Sequence, residues 1–296
     1  YMATVINDFI QGIIMLAGIV IVVAAVLRGF GGFNEAMISL SHVEDETVSQ
    51  AAGIFTSFFG PEPFNILCVI ILTSLGTWAL PQMTQKFYAI RDEKAIEKGT
   101  VISTLFAAVV AGGCYFMGGF GRLLSDKVDI AANGYDSIIP TMFADFSPLL
   151  ISLVIVLVLA ASMSTLSSLV LTSSSTLTLD LIDECAKKKL EDKRQLVVIR
   201  ALILFFIVVS TAIAVIQYKY NIAFIAQLMG LSWGAMAGAF LGPYLWGLYS
   251  KRVTVASVWA SFVFGVGVMI LNTFAPSIFP TWLQSSINCG AFVMVA

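Results

Sequence analysis

The sequence predicts an all-α, polytopic membrane protein, and three observations carry that prediction. Hydrophobic residues make up 58% of the chain and charged residues only 11%, with a mean hydropathy of +0.93. Soluble domains carry about 25% charged residues, so too few polar groups remain here to cover a soluble core. Apolar runs of about 20 residues recur, long enough to cross the hydrocarbon core of a bilayer as helices. Basic residues, finally, gather in alternate loops between those runs. A β-barrel would show short segments of alternating polarity instead, and these do not occur.

Seven spans follow, at about 4–27, 64–88, 100–121, 148–180, 196–217, 222–249 and 254–274, with the start of an eighth from about 281. The first is built of Val, Ile, Leu and Ala around one carboxylate, Asp8. Gly76 and Pro81 interrupt the second, in "LTSLGTWALPQMTQKFYAI"; proline lacks an amide hydrogen and frees a carbonyl one turn earlier. The fourth ends in "AASMSTLSSLVLTSSST", where ten of seventeen residues are Ser or Thr. In the sixth, Gly234, Gly238 and Gly242 recur every fourth residue, a smooth ridge for close helix contact. The third, fifth and seventh are plain apolar runs. The loops 28–63 and 122–147 are longer, carry acids with Gly and Pro, and have room for short surface helices.

Lys86, Arg91, Lys94, Lys98, Lys187, Lys188, Lys189, Lys193, Arg194, Arg200, Lys251 and Arg252, 12 of the 16 basic residues, lie in or beside loops 89–99, 181–195 and 250–253. Lys and Arg are retained on the cytoplasmic side, so these loops are expected to be cytoplasmic and the first helix to run outward. Cys68, Cys114, Cys185 and Cys289 are widely spaced without a Cys-x-x-Cys pair, which favours packing over metal or disulfide roles. His42 is the single histidine, in a polar loop. No nucleophile–base pair or metal cluster occurs in a span, so enzymatic chemistry has no seat. No cofactor is expected, and nothing points to nucleic acid.

Three polar features at membrane depth remain. An ionised carboxylate in hydrocarbon is costly, so Asp8 should face an aqueous cavity, an ion or a partner. On a helix, Ala161, Ser164, Thr165, Ser168, Thr172 and Ser175 share a face about 100° wide, with Ser167 on its flank. Hydroxyl and carbonyl oxygens are hard ligands, suited to a hard cation such as sodium; such hydroxyls also serve to bond their own helix or knit neighbours together. Around the break at Gly76 and Pro81 stand Thr73, Ser74, Thr77, Gln82, Thr84 and Gln85, with Trp78 available for stacking. Irregular backbone at this depth survives only where it is buried in protein or lines a cavity, and broken helices form sites in secondary transporters.

Taken in order, these stretches resemble the sodium:solute symporter family. "NDFIQGIIMLAG" is similar to that family's "TD-x-x-Q-x-x-x-M-x-x-G" helix, and "WALPQMTQKFYAIRDEKA" to its broken helix and cytoplasmic loop. "FSPLLISLVIVLVLAASMSTLSSLVLTSSSTLTLDLI" resembles its most specific signature, an Ala-Ala-x-x-Ser-Thr/Ser-x-x-Ser pattern leading into a Ser/Thr run and an Asp. The resemblance implies the leucine-transporter fold, two inverted five-helix repeats around a central site, and sodium-driven symport of a small polar solute (a sugar, amino acid or carboxylate) across the plasma membrane. It implies that Ala161, Ser164 and Thr165 hold the shared sodium, that Asp8, Ser164, Ser167 and Ser168 hold a second one, and that Thr73, Thr77, Trp78, Pro81 and Gln82 line the solute site. "ALPQ" departs from the family's proline- and sugar-carrier patterns, and Lys86 stands where Arg is frequent, so the solute does not carry over. The chain is expected to be one transmembrane transporter domain, 1–296, with upstream core helices and downstream helices outside it. Two alternatives stay open here: a membrane sensor module of a signalling protein, and a proton-coupled or sodium-independent carrier of the same fold.

Overall fold

A computed structural model describes the chain apart from residues 1, 44–52, 81, 85–89, 129–133, 186–190 and 221–224. Among the described residues it is helical and without strands. Ten helices organise it: α1 Met2–Gly29, α2 Phe33–Ser41, α3 Pro63–Ser74, α4 Glu93–Gly119, α5 Ile138–Phe143, α6 Pro148–Thr176, α7 Asp192–Tyr220, α8 Ile225–Tyr249, α9 Val255–Phe274 and α10 Ser286–Val295. Six helical stretches, Val5–Gly29, Glu93–Leu124, Pro148–Ile182, Asp192–Tyr220, Ile225–Tyr249 and Val255–Phe274, are long and apolar enough to cross a membrane. The remaining expected span, 64–88, is short and broken: α3 ends at Ser74, and a 3₁₀ turn follows at Gly76–Ala79.

Local chemistry sets the ends. Asp92 caps α4 by accepting the Ala95 amide at 2.8 Å, and Thr254 and Ser257 form a reciprocal capping box on α9. Pro63 and Pro148 open α3 and α6 at first-turn positions, where a missing amide hydrogen leaves nothing unpaired. The long loops do carry short helices, α2 and α5. His42 ends α2, its Nδ1 donating to the Ile38 carbonyl at 2.7 Å. Cys68 and Cys289 are buried free thiols, whereas Cys114 and Cys185 are exposed.

The chain divides into two compact units, residues 1–43 with 90–222, and 44–89 with 223–296. In the first, α1 packs against α4 and α6, and α7 packs against α6. Gly18 lets α6 approach, because Leu157 occupies the space that a Cβ there would take.

In the second unit, α8 packs against α9 and α10, and α3 against α10. Backbone contact, rather than side-chain interdigitation, governs here. A Cβ on Gly230 would lie 2.8 Å from the Ile287 nitrogen, one on Gly234 2.5 Å from the Gly290 Cα, and one on Gly238 2.5 Å from Val293 Cγ1. The predicted ridge is therefore real but displaced one turn, to Gly230, Gly234 and Gly238. Gly242 has only an ordinary contact, 3.6 Å from Ser261 Oγ. Gly265 and Gly290 supply the opposing smooth surfaces. Pro243 lies inside α8 and cannot donate to the Ala239 carbonyl; Ser261 of α9 donates to that carbonyl at 3.0 Å. Two buried amides tie down the turn before α10. Asn272 donates to the Leu283 carbonyl at 2.9 Å, and Asn288 to the Trp282 carbonyl at 2.8 Å and to Asn65 Oδ1 at 2.6 Å.

Candidate functional site

In the first unit, α1 and α6 run antiparallel: Asp8 meets Ser164, and ten residues further along α1 Gly18 meets Leu157. The Ser164 hydroxyl donates to Asp8 Oδ1 at 3.0 Å. Two residues 156 positions apart thus meet inside helices that both qualify as membrane spans. The bond gives the Asp8 carboxyl group a polar partner within an apolar span. Ser167 is half-buried one turn further along α6, its hydroxyl donating to the Ser164 carbonyl at 3.1 Å. Ser168 is half-buried beside it. Of the four residues assigned to a second ion site, two are in direct contact and the others lie within one turn on α6.

The three residues assigned to the shared ion site spread differently. Ser164 faces α1, whereas Ala161 and Thr165 are exposed within this unit. Ala161 borders an apolar groove of about 350 Å³ that Met15, Ile19, Val22 and Leu157 also line. The expected hydroxyl face divides: Ser164 bonds across to α1, Ala161 borders the groove beside it, and Thr165 is exposed.

Two groups that sequence reasoning missed lie nearby. Gln11, at 6% exposure, stands one turn after Asp8, and its Oε1 has no hydrogen-bond partner. Ser174, fully buried near the end of α6, likewise leaves its Oγ without one. An unsatisfied buried polar atom costs about 1–3 kcal/mol. The available signal for Gln11 was its place as the Gln of the quoted motif, three residues after Asp8. Beyond Ser174 the helix loosens into a π turn at Leu177–Ile182, and Thr178 donates to the Ser174 carbonyl at 2.8 Å.

The second unit carries the residues assigned to solute. Thr73 donates to the Val69 carbonyl at 2.7 Å and Thr77 to the Ser74 carbonyl at 2.8 Å, so both hydroxyl protons are engaged within their own segment. Trp78 is exposed, and Gln82 is half-buried in a helical turn after the break. Leu80 is extended, φ −70° and ψ 126°, as the residue before a proline must be. Pro81 itself lies outside the described residues. Gly76 is buried, and a Cβ there would stand 3.4 Å from Met294 Sδ of α10. No group of three or more metal-ligating His, Cys, Asp or Glu side chains occurs among the described residues.

The chain is similar to the sodium/pantothenate symporter of Haemophilus influenzae, 23% identical over 92% of this chain and 54% of that protein. It is similar also to the sodium/pantothenate symporter of Escherichia coli, 26% identical over 90% and 53% respectively. The sodium/proline symporter of Staphylococcus aureus is 28% identical over 92% of this chain and 51% of its own length. The chain therefore spans about half the length of the curated relatives it matches. No solved structure matches it. The model of the sodium:solute symporter family matches residues 1–265, all of the first unit and the second as far as the middle of α9, with the Asp8–Ser164 contact and the broken helix inside the matched range: the chain belongs to the sodium:solute symporter family.

Proposed function

We propose that the chain is part of a secondary active transporter in the plasma membrane, in which sodium entry drives uptake of a small polar organic solute by alternating access. The observation that carries this reading, beyond family membership, is the Ser164–Asp8 hydrogen bond. It joins a carboxylate and a hydroxyl at membrane depth, on the two helices where the family resemblance puts ion ligands. A carboxylate attracts the cation, and neutral hydroxyls of Ser164, Ser167 and Ser168 hold it without preventing its release. Ala161 and Thr165, with Ser164, serve the shared sodium. Each sodium moved inward yields about 2.3 kcal/mol per 100 mV, plus its concentration gradient.

The solute site is assigned to the broken helix, with Trp78 and Gln82 as the groups free to engage it, since the hydroxyl protons of Thr73 and Thr77 are spent within the helix. Pantothenate and proline, named for the relatives, are the first solutes to test. The basic loops 89–99, 181–195 and 250–253 are read as cytoplasmic, and the helices as part of the leucine-transporter arrangement of inverted repeats.

The test is uptake into proteoliposomes holding the full-length protein, with a sodium gradient imposed and then replaced by choline. Uptake should need sodium. Ser164→Ala and Thr165→Ala should raise the sodium concentration for half-maximal uptake. Uptake that persists in choline, or follows a proton gradient instead, would displace the sodium reading.

A further inference from the structure

We infer that Gln11 is an ion ligand, its side-chain oxygen joining Asp8 and Ser164 in one oxygen cluster between α1 and α6. The inference rests on the sodium reading above and adds a residue to it.

Positions 8, 11, 15, 18 and 22 of α1 follow the alternating three- and four-residue steps of a two-helix seam. Asp8 at one end of it touches Ser164, and Gly18 further on touches Leu157. Gln11 falls between them in register. The α6 positions between Leu157 and Ser164 include Ala160, which is buried and small enough to leave room for a longer side chain opposite.

Gln11 is buried, at 6% exposure, more deeply than Met15 and nearly as deeply as Val22, and its Oε1 accepts no hydrogen bond. The neighbouring hydroxyls cannot readily supply one. Ser164 has given its proton to Asp8, and Ser167 has given its own to the Ser164 carbonyl. What gathers around Asp8 is mostly oxygen: the carboxylate, the Gln11 amide oxygen, and the acceptor sides of two hydroxyls. The Gln11 amide brings N–H donors of its own, which can serve the carboxylate but not the Gln11 oxygen, so a cation is the partner that would satisfy that oxygen. The ligand type, all oxygen with one negative charge, suits a hard monovalent ion. Ser174 also has an unpartnered oxygen, but a hydroxyl can donate as well as accept, so its environment does not specify a cation in the same way.

The experiment is sodium titration of the purified full-length protein, without solute and with choline as balancing cation. Bound sodium is read with radioactive sodium, and the sodium-induced rise in unfolding temperature is read in parallel. Gln11→Met keeps the length and removes the oxygen. It should raise the sodium concentration for half-saturation by tenfold or more and abolish most of the thermal rise, while the unfolding temperature in choline stays at or above the wild-type value. A Gln11→Met protein with wild-type sodium affinity overturns the inference, and so does one that is destabilised in choline yet titrates normally, because that is the mark of packing alone. If Gln11→Met does not fold, Gln11→Asn, which withdraws the oxygen by one methylene, is titrated with the same two outcomes. Asp8→Asn separates this inference from its basis. If Asp8→Asn weakens sodium binding and Gln11→Met does not, only the role of Gln11 falls; if Asp8→Asn leaves sodium binding unchanged, the second-site reading falls with it.

Discussion

The α1–α6 contact of one unit and the α8–α9–α10 contact of the other solve the same problem in opposite ways. Helices in lipid gain nothing from hiding apolar surface from water, so they associate through close packing and polar bonds. In the second unit, Gly230, Gly234, Gly238, Gly265 and Gly290 bring backbones together until no methyl group fits. Its buried polar groups are bonded too: Ser261, Asn272 and Asn288 all reach carbonyls. In the first unit, one long-range hydrogen bond, Ser164 to Asp8, joins helices whose seam also holds the unsatisfied Gln11 oxygen. A contact without spare room or spare bonding capacity is suited to hold a shape. A contact with both is suited to take in a ligand and let it go.

The comparison breaks most forcefully at Gly265. A Cβ there would lie 2.6 Å from the Ala239 nitrogen and the Gly238 carbonyl carbon, atoms of another backbone that cannot rotate away. Gly265→Val should destabilise the protein by about 3 kcal/mol or more, at the upper end of overpacking effects, and show as lost membrane yield and a lowered unfolding temperature in detergent. A normal yield would mean that the second unit is not the rigid one.

Asp8→Asn should do the reverse. The amide still offers an oxygen to Ser164, so the unfolding temperature in choline is expected to hold. Sodium-driven uptake should fall to background, because the charge that attracts the ion is gone. Retained uptake with unchanged sodium dependence would remove the ion from this seam.

Ser164→Ala is smaller. Losing one hydroxyl ligand that also bonds a carboxylate, about 1.5 kcal/mol, should raise the sodium concentration for half-maximal uptake about tenfold, with little change in maximal rate. Thr165→Ala, exposed within this unit, should shift it by less, and equal shifts would show that Thr165 turns inward in the assembled protein. The smallest effect belongs to Gly242→Ala. Its Cβ would make only a 3.6 Å contact with Ser261 Oγ, so stability should change by less than about 0.5 kcal/mol, as at unremarkable surface sites. A loss comparable to that at Gly265 would restore the ridge as the sequence spacing alone suggests it.

Spans, breaks and polar depth were legible because each depends on residue type along one helix. Twenty apolar residues must cross or be buried, a Gly and a Pro five residues apart weaken a helix, and a carboxylate in an apolar span must find a partner. Asp8 and Ser164 were both identifiable for that reason. Partnership between helices was not, since spacing defines a face without saying what lies opposite. The same periodicity that grouped Ala161 and Thr165 with Ser164 could not show that, of the three, Ser164 bonds across to α1. Nor could a four-residue glycine repeat show that its register is 230–238 rather than 234–242, because the deciding atoms belong to Gly290 and Gly265. In the sequence Gln11 was the Gln of the quoted family motif, one turn from Asp8, with no role attached to it. Only packing against α6, with its neighbours' protons already committed, made its oxygen a buried acceptor without a donor.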